Sequence, residues 1–204
     1  MTPVPVRPPL RFAARRELAV VAALLVALVA ASVWMTRLGA PLETAASPRG
    51  IIDFELAGTE ARAAEILAAW DERAREAARV QTRADDFLYI PVYVLALSAA
   101  AGAVATRVGS RTLARLGVAL AWAMFPAGLF DLVENRQMMA QLASGADGDL
   151  AELARTMAQI KFAIVYATLA YALVGAVVAL AGRLRRGAGR RRAGASVGPV
   201  TPDR

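Results

Sequence analysis

A chain of 204 residues with a formal net charge of +7 and 57% apolar residues is long enough for one compact domain, and it exceeds the soluble average of about 45–50% apolar. It has neither cysteine nor histidine, which excludes disulfides, Ser-His-Asp and Cys-His catalysis, the usual zinc sites and His- or Cys-ligated haem. No phosphate-cradling loop or nucleophile motif is present, so no cofactor and no metal are expected.

In chain order, Met1 to Pro9 holds four prolines and reads as a disordered start to a basic tail over 1–17. Leu18 to Met35 is an apolar run without charge, long enough for a first membrane span. The alternative is a cleavable signal peptide, with cleavage after Val29-Ala30-Ala31 or Thr44-Ala45-Ala46, but the run exceeds the usual h-region of about 7–15 residues. Pro41, Ser47, Pro48 and Gly50 then mark a loop, and Ile51 to Leu56 is a short alternating segment. From about 60 to 83 nothing breaks a helix after a plausible Thr59 cap. Its stripe of Ala63, Ile66, Leu67, Trp70, Ala74 and Ala77 predicts an amphipathic helix. That helix would pack on a membrane-protein partner or lie at the headgroups with Trp70 as anchor, supported by Glu72–Arg75 and Glu76–Arg79 pairs. It runs on toward the second apolar run, Phe87 to Thr106, with a bend at Pro91.

The third run is Leu116 to Val133 and the fourth Phe162 to Gly182, with a helical extension, a Gly145/Gly148 turn and a second helical start between them. Small residues at every fourth position, such as Gly117 and Ala121 or Gly175 and Ala179, favour close helix approach. The Arg- and Gly-rich segment over 183–204 reads as a disordered tail. The fold class is therefore an all-α membrane protein, four transmembrane helices in a bundle plus one extracytoplasmic amphipathic helix.

Charge sets the orientation. The two tails and the loop around Arg107, Arg111 and Arg115 hold 14 positive and 2 negative charges; the rest of the chain holds 10 positive and 15 negative. Four spans place all three basic segments on one side, which the positive-inside rule makes cytoplasmic. The basic charge is thus a topology signal, with anionic lipid as a secondary partner of the tails and no nucleic acid expected. The Arg and Ala bias fits a GC-rich bacterial genome, which points to a bacterial inner membrane.

The informative residues are those a bilayer excludes. Asp131 and Glu134 share a helical face with Asn135, Met124, Gly128 and Met138 at the outer end of span three. Asp85 and Asp86 open span two and Lys161, the one lysine, opens span four from the same side. Lys161 and Arg136 are candidate cations for the repelling carboxylates. Tyr89 and Tyr93 lie inward of Asp86, and Thr168 and Tyr171 inward of Lys161. The cluster Asp86, Asp131, Glu134, Asn135 and Lys161 reads either as an ion-pair network locking helix ends or as a binding site or ion path. Ser98 sits on a different face from Asp86, and no polar chain continues inward.

Several strings together resemble a family of small, uncharacterised four-span bacterial membrane proteins. They are Phe54-Glu55-Leu56-Ala57-Gly58-Thr59, Ile66-Leu67 with Trp70, Asp86-Phe87-Leu88, Gly128 to Asn135, and Ile160-Lys161-Phe162. The resemblance covers roughly Ile51 to Leu180 and implies fold and membrane location but no activity. On function, a non-enzymatic scaffold or accessory subunit leads. A small proton- or ion-coupled transporter using the Asp/Glu/Lys cluster follows. A membrane enzyme on lipid-like substrates, with Asp131 and Glu134 on a divalent cation, comes last.

Overall fold

The computed structural model describes residues 7–195 except 11 and 14, with the side chains of 179 and 182–195 also left out. The described residues form helices and no strand. Four helices are long and apolar enough to cross a membrane: α1 (Glu17–Leu38), the continuous stretch of α4 (Glu72–Ala84) and α5 (Ile90–Ala105), α6 (Arg111–Ser144) and α7 (Gly148–Ala195). Two shorter helices, α2 (Ile51–Glu55) and α3 (Glu60–Ala69), lie in the connection after α1.

α5 is the central helix, buried almost throughout by α1, α6 and α7. Its neighbours approach closely because small residues face it. A Cβ on Gly128 of α6 would come 2.9 Å from a Val94 methyl, and one on Gly175 of α7 would come closer still to Val104. Ala121 is fully buried, and Gly117 receives the Tyr171 ring. At the basic end, Arg107 donates to Glu17 and ties the end of α5 to the start of α1. The segment before α1 joins this end: Trp122 donates to the Arg7 carbonyl (2.9 Å), and Leu10 and Phe12 pack on Ala99, Ala100 and Ala103. The disordered start foreseen up to Pro9 therefore does not extend over Arg7–Pro9, because apolar surface awaits it; residues 1–6 lie outside the description.

At the opposite end the helices rise past their apolar runs into a cap. Leu42, Phe54, Ile66, Trp70, Met138 and Leu142 form its core with small residues between them. Trp70 meets Phe54 edge-on at 5.2 Å, and its indole N–H donates to Leu42 O (3.1 Å) and Ser47 Oγ (3.0 Å). Trp70 is thus a core residue at 2% exposure and not an anchor at a membrane surface.

Three further expectations need correction. The helix foreseen over 60–83 is two helices: Trp70 is extended (φ −90°, ψ 116°), and Asp71 caps α4 by accepting from Ala74 N (2.7 Å). An aspartate with its own amide partner ends one helix by starting the next. Arg75 accordingly turns back to the open carbonyls of α3, Leu67 O (2.7 Å) and Trp70 O (3.1 Å), and not to Glu72; Arg79 takes Glu72 and Glu76. Second, Ile51 to Glu55 is helical and not an extended alternating piece, since Phe54 and Glu55 both turn inward. Third, α7 continues to Ala195 beyond the end set at Gly182. Arginine and alanine are strong helix formers, and cations near a helix C-terminus match its dipole. The tail over 196–204 is outside the described residues.

Between α4 and α5 the chain makes one wide turn, Asp85–Tyr89, without leaving the helix. Pro91, in the first turn of α5, has no N–H for the Phe87 carbonyl, and the wide turn before it accommodates that loss.

Candidate functional site

The register of the α6–α7 hairpin builds the site. Gly145 ends α6 with φ +100°, and Asp147 caps α7 by accepting from Leu150 N (3.0 Å). Asp131 and Lys161 are equally distant in sequence from Ala146 in that turn, so the two antiparallel helices bring them face to face. Lys161 Nζ donates to Asp131 Oδ1 (2.9 Å) and lies 2.9 Å and 2.8 Å from the two Glu134 oxygens. The Tyr93 hydroxyl donates to the other Asp131 oxygen (2.9 Å). One helical face of α6 carries Asp131, Glu134, Asn135 and Met138, and all four are buried, as is Lys161.

Asn135 holds the second layer. Its Nδ2 donates to Asp85 Oδ2 and Asp86 Oδ1, both at 2.7 Å, and so ties the wide turn to α6. The structure thus brings together Asp86, Asp131, Glu134, Asn135 and Lys161, with Asp86 half-buried at the rim. Arg136 points away on an exposed face. Thr168 and Tyr171 do not join the cluster; they bond to Ile164 O and Leu113 O. The cluster lies within long helices and under the cap, not at helix ends, because α6 and α7 extend well beyond their apolar runs.

Sequence reasoning missed Glu55. Its Oε2 lies 3.5 Å from Lys161 Nζ and makes no hydrogen bond. The available signal was a carboxylate flanked by Phe54 and Leu56. It also missed Gln81 and Thr82, hidden in a charged stretch of α4; both are buried, with Gln81 Oε1 and Thr82 Oγ1 unpartnered.

A cavity of about 670 Å³ opens beside the cluster, between α1 and α7, with α5 as its back. Its half toward the cap, called the outer half, is lined by Glu55, Gln81, Thr82 and Asp85, and its half toward the Arg107 end, called the inner half, by Leu28, Leu97, Val165 and Leu169. Tyr93, Asp131 and Lys161 stand where the halves meet. Ser32 and Tyr89 bond across one side (3.2 Å), joining α1 to the wide turn. At the outer rim, Arg49 binds Asp53 through its backbone N–H (2.7 Å) and its guanidinium. Burial alone raises the Asp53 carboxyl pKa; these hydrogen bonds outweigh it and hold the group below the usual carboxylate range.

Lys161 is committed to two carboxylates, so it is no free base. Among the described residues, no three acidic side chains are placed to hold a metal ion. Toward the basic end, Ser98 closes onto Ala121 O (2.9 Å) and offers no continuing polar path. No family model matches the chain, and no curated protein or solved structure matches it.

Proposed function

We propose that the chain is an integral membrane protein that crosses a bacterial inner membrane four times, with both termini cytoplasmic. We further propose that it binds, without catalysis, a small amphipathic molecule entering sideways between α1 and α7. The observation that carries this reading is the division of the cavity, apolar in one half and rich in unpartnered acceptors in the other. Its volume lies within the usual range for ligand sites, about 300–1,000 Å³. Large apolar side chains stand exposed around the bundle, among them Val26, Val29, Leu129, Leu173 and Val177, which supports a lipid surround. The skew of arginine toward the Arg107 end supports the orientation.

A binding role fits better than the alternatives. The scaffold reading began from an apolar stripe awaiting a partner, and that stripe is enclosed inside the chain's own cap. A carrier needs polar groups on both sides of its site, and those at the basic end are closed locally. Native mass spectrometry of the full chain released from mild detergent tests the proposal. One small amphiphile per chain is expected, lost when Leu28→Trp and Leu169→Trp fill the inner half. Absence of any adduct from the unaltered chain, or an adduct indifferent to both substitutions, contradicts it. Reporter fusions test the orientation: one after Arg107 should read cytoplasmic and one at Gly145 external.

A further inference from the structure

The chemistry of the outer half names the head group. We infer that it is a protonated primary amine, so that the ligand class is the amine-headed amphiphile; this rests on the cleft described above. Glu55, Gln81 and Thr82 are 9%, 7% and 2% exposed, all three line the cavity, and each has an oxygen without a hydrogen-bond partner. The orientation of Gln81 is fixed, because its Nε2 donates to Met35 O (3.2 Å); a flipped amide would set two oxygens together. The Glu55 and Gln81 oxygens lack donors, and the Thr82 hydroxyl is free to accept one.

Charge points the same way. Glu43, Glu55, Asp85 and Asp131 line the cavity with two cations, and both cations are engaged: Lys161 is held by Asp131 and Glu134 with Glu55 at 3.5 Å, and Arg49 is held by Asp53. An anionic head would meet more carboxyl groups than cations, four against two. A quaternary ammonium brings charge but no N–H, which leaves the three oxygens unpaired. A primary ammonium brings three N–H donors on one compact cation. Tyr89 and Tyr93, with ring centroids 5.7 Å apart, add aromatic faces beside it. Leu28, Leu97, Val165 and Leu169 then take the alkyl chain.

The test uses the full chain in nanodiscs of zwitterionic lipid at neutral pH, with empty nanodiscs as blank. The probes are dodecylamine, dodecyltrimethylammonium, dodecanol and dodecanoate, titrated calorimetrically. Dodecylamine should bind about tenfold or more tighter than each of the others, the scale of one lost charged hydrogen bond. Glu55→Gln and Gln81→Leu should each weaken dodecylamine by about tenfold while leaving dodecanol unchanged, which also reports that the variants are folded. Leu169→Trp should weaken all four probes. Equal binding of the amine and the alcohol, or preference for dodecanoate, overturns the amine head. Amine preference indifferent to both polar substitutions overturns its placement. If Leu169→Trp leaves every probe unaffected, the cleft itself is refuted.

Discussion

Replacing Lys161 by methionine removes the positive charge from between Asp131 and Glu134 while keeping most of the volume. The two carboxyl groups are then left buried at 3% and 0% exposure without a cation. Breaking a buried pair from one side costs about 3–5 kcal/mol. The chain has one escape, which is to protonate a carboxyl. At pH 7, for a group whose ordinary pKa is about 3.9, that costs about 4 kcal/mol, so the expected loss sits near the same figure. The escape becomes easier as pH falls, and at pH 5 the loss should shrink to about 1.5 kcal/mol. Asp131→Asn should cost less, since Glu134 keeps both oxygens near Lys161 and Tyr93 still has a partner. The double variant should cost less than the sum by about 0.5–3 kcal/mol, the range for residues in contact. Thermal unfolding of all four proteins in one detergent, at pH 7 and pH 5, measures this. Strict additivity, or a Lys161→Met loss independent of pH, would refute the reasoning.

Two further predictions concern the cap. Trp70→Phe should lose about 1–2 kcal/mol by stripping the N–H from Leu42 O and Ser47 Oγ, and Trp70→Ala about 3–5 kcal/mol, both read from thermal unfolding. The Asp53 carboxyl sits below its ordinary pKa in the folded chain, so its contribution is present above about pH 3.9 and disappears as pH falls through the folded value. Asp53→Asn should therefore weaken hydrogen-exchange protection of α2 at pH 7, and by progressively less as pH falls below about 3.9. The Arg49 side chain is 62% exposed, so screening holds the effect below about 1 kcal/mol; a larger loss, or one that persists in acid, contradicts the assignment.

The four long helices were legible because an apolar run of that length has few other uses. Their ends were not: beyond Val133 and before Phe162 the helices become amphipathic, and only the cap they build gives those faces a place. Asp131, Glu134 and Lys161 stood out as charges in or beside apolar runs, and their shared depth made Lys161 a candidate partner for both carboxylates; the register of the turn around Ala146, which sets the pairing, shows only in the structure. Glu55 did not stand out, since its burial follows from α2 folding back onto α7, a long-range event with no local mark. Gln81 and Thr82 were masked by the arginines and glutamates around them. The break at Trp70–Asp71 turned on a single capping side chain in a stretch otherwise fit for one helix.

The lateral cleft is the centre of the account, and a chain without cysteine makes it directly accessible to labelling. Leu169 lines the inner half and is partly exposed, while Glu43 stands at the outer mouth. A nitroxide attached at Leu169→Cys in proteoliposomes should relax strongly with oxygen, which concentrates in lipid, and little with a water-soluble nickel chelate. The same label at Glu43→Cys should show the reverse. Nickel access at position 169 equal to that at position 43 would contradict a cleft open to the membrane.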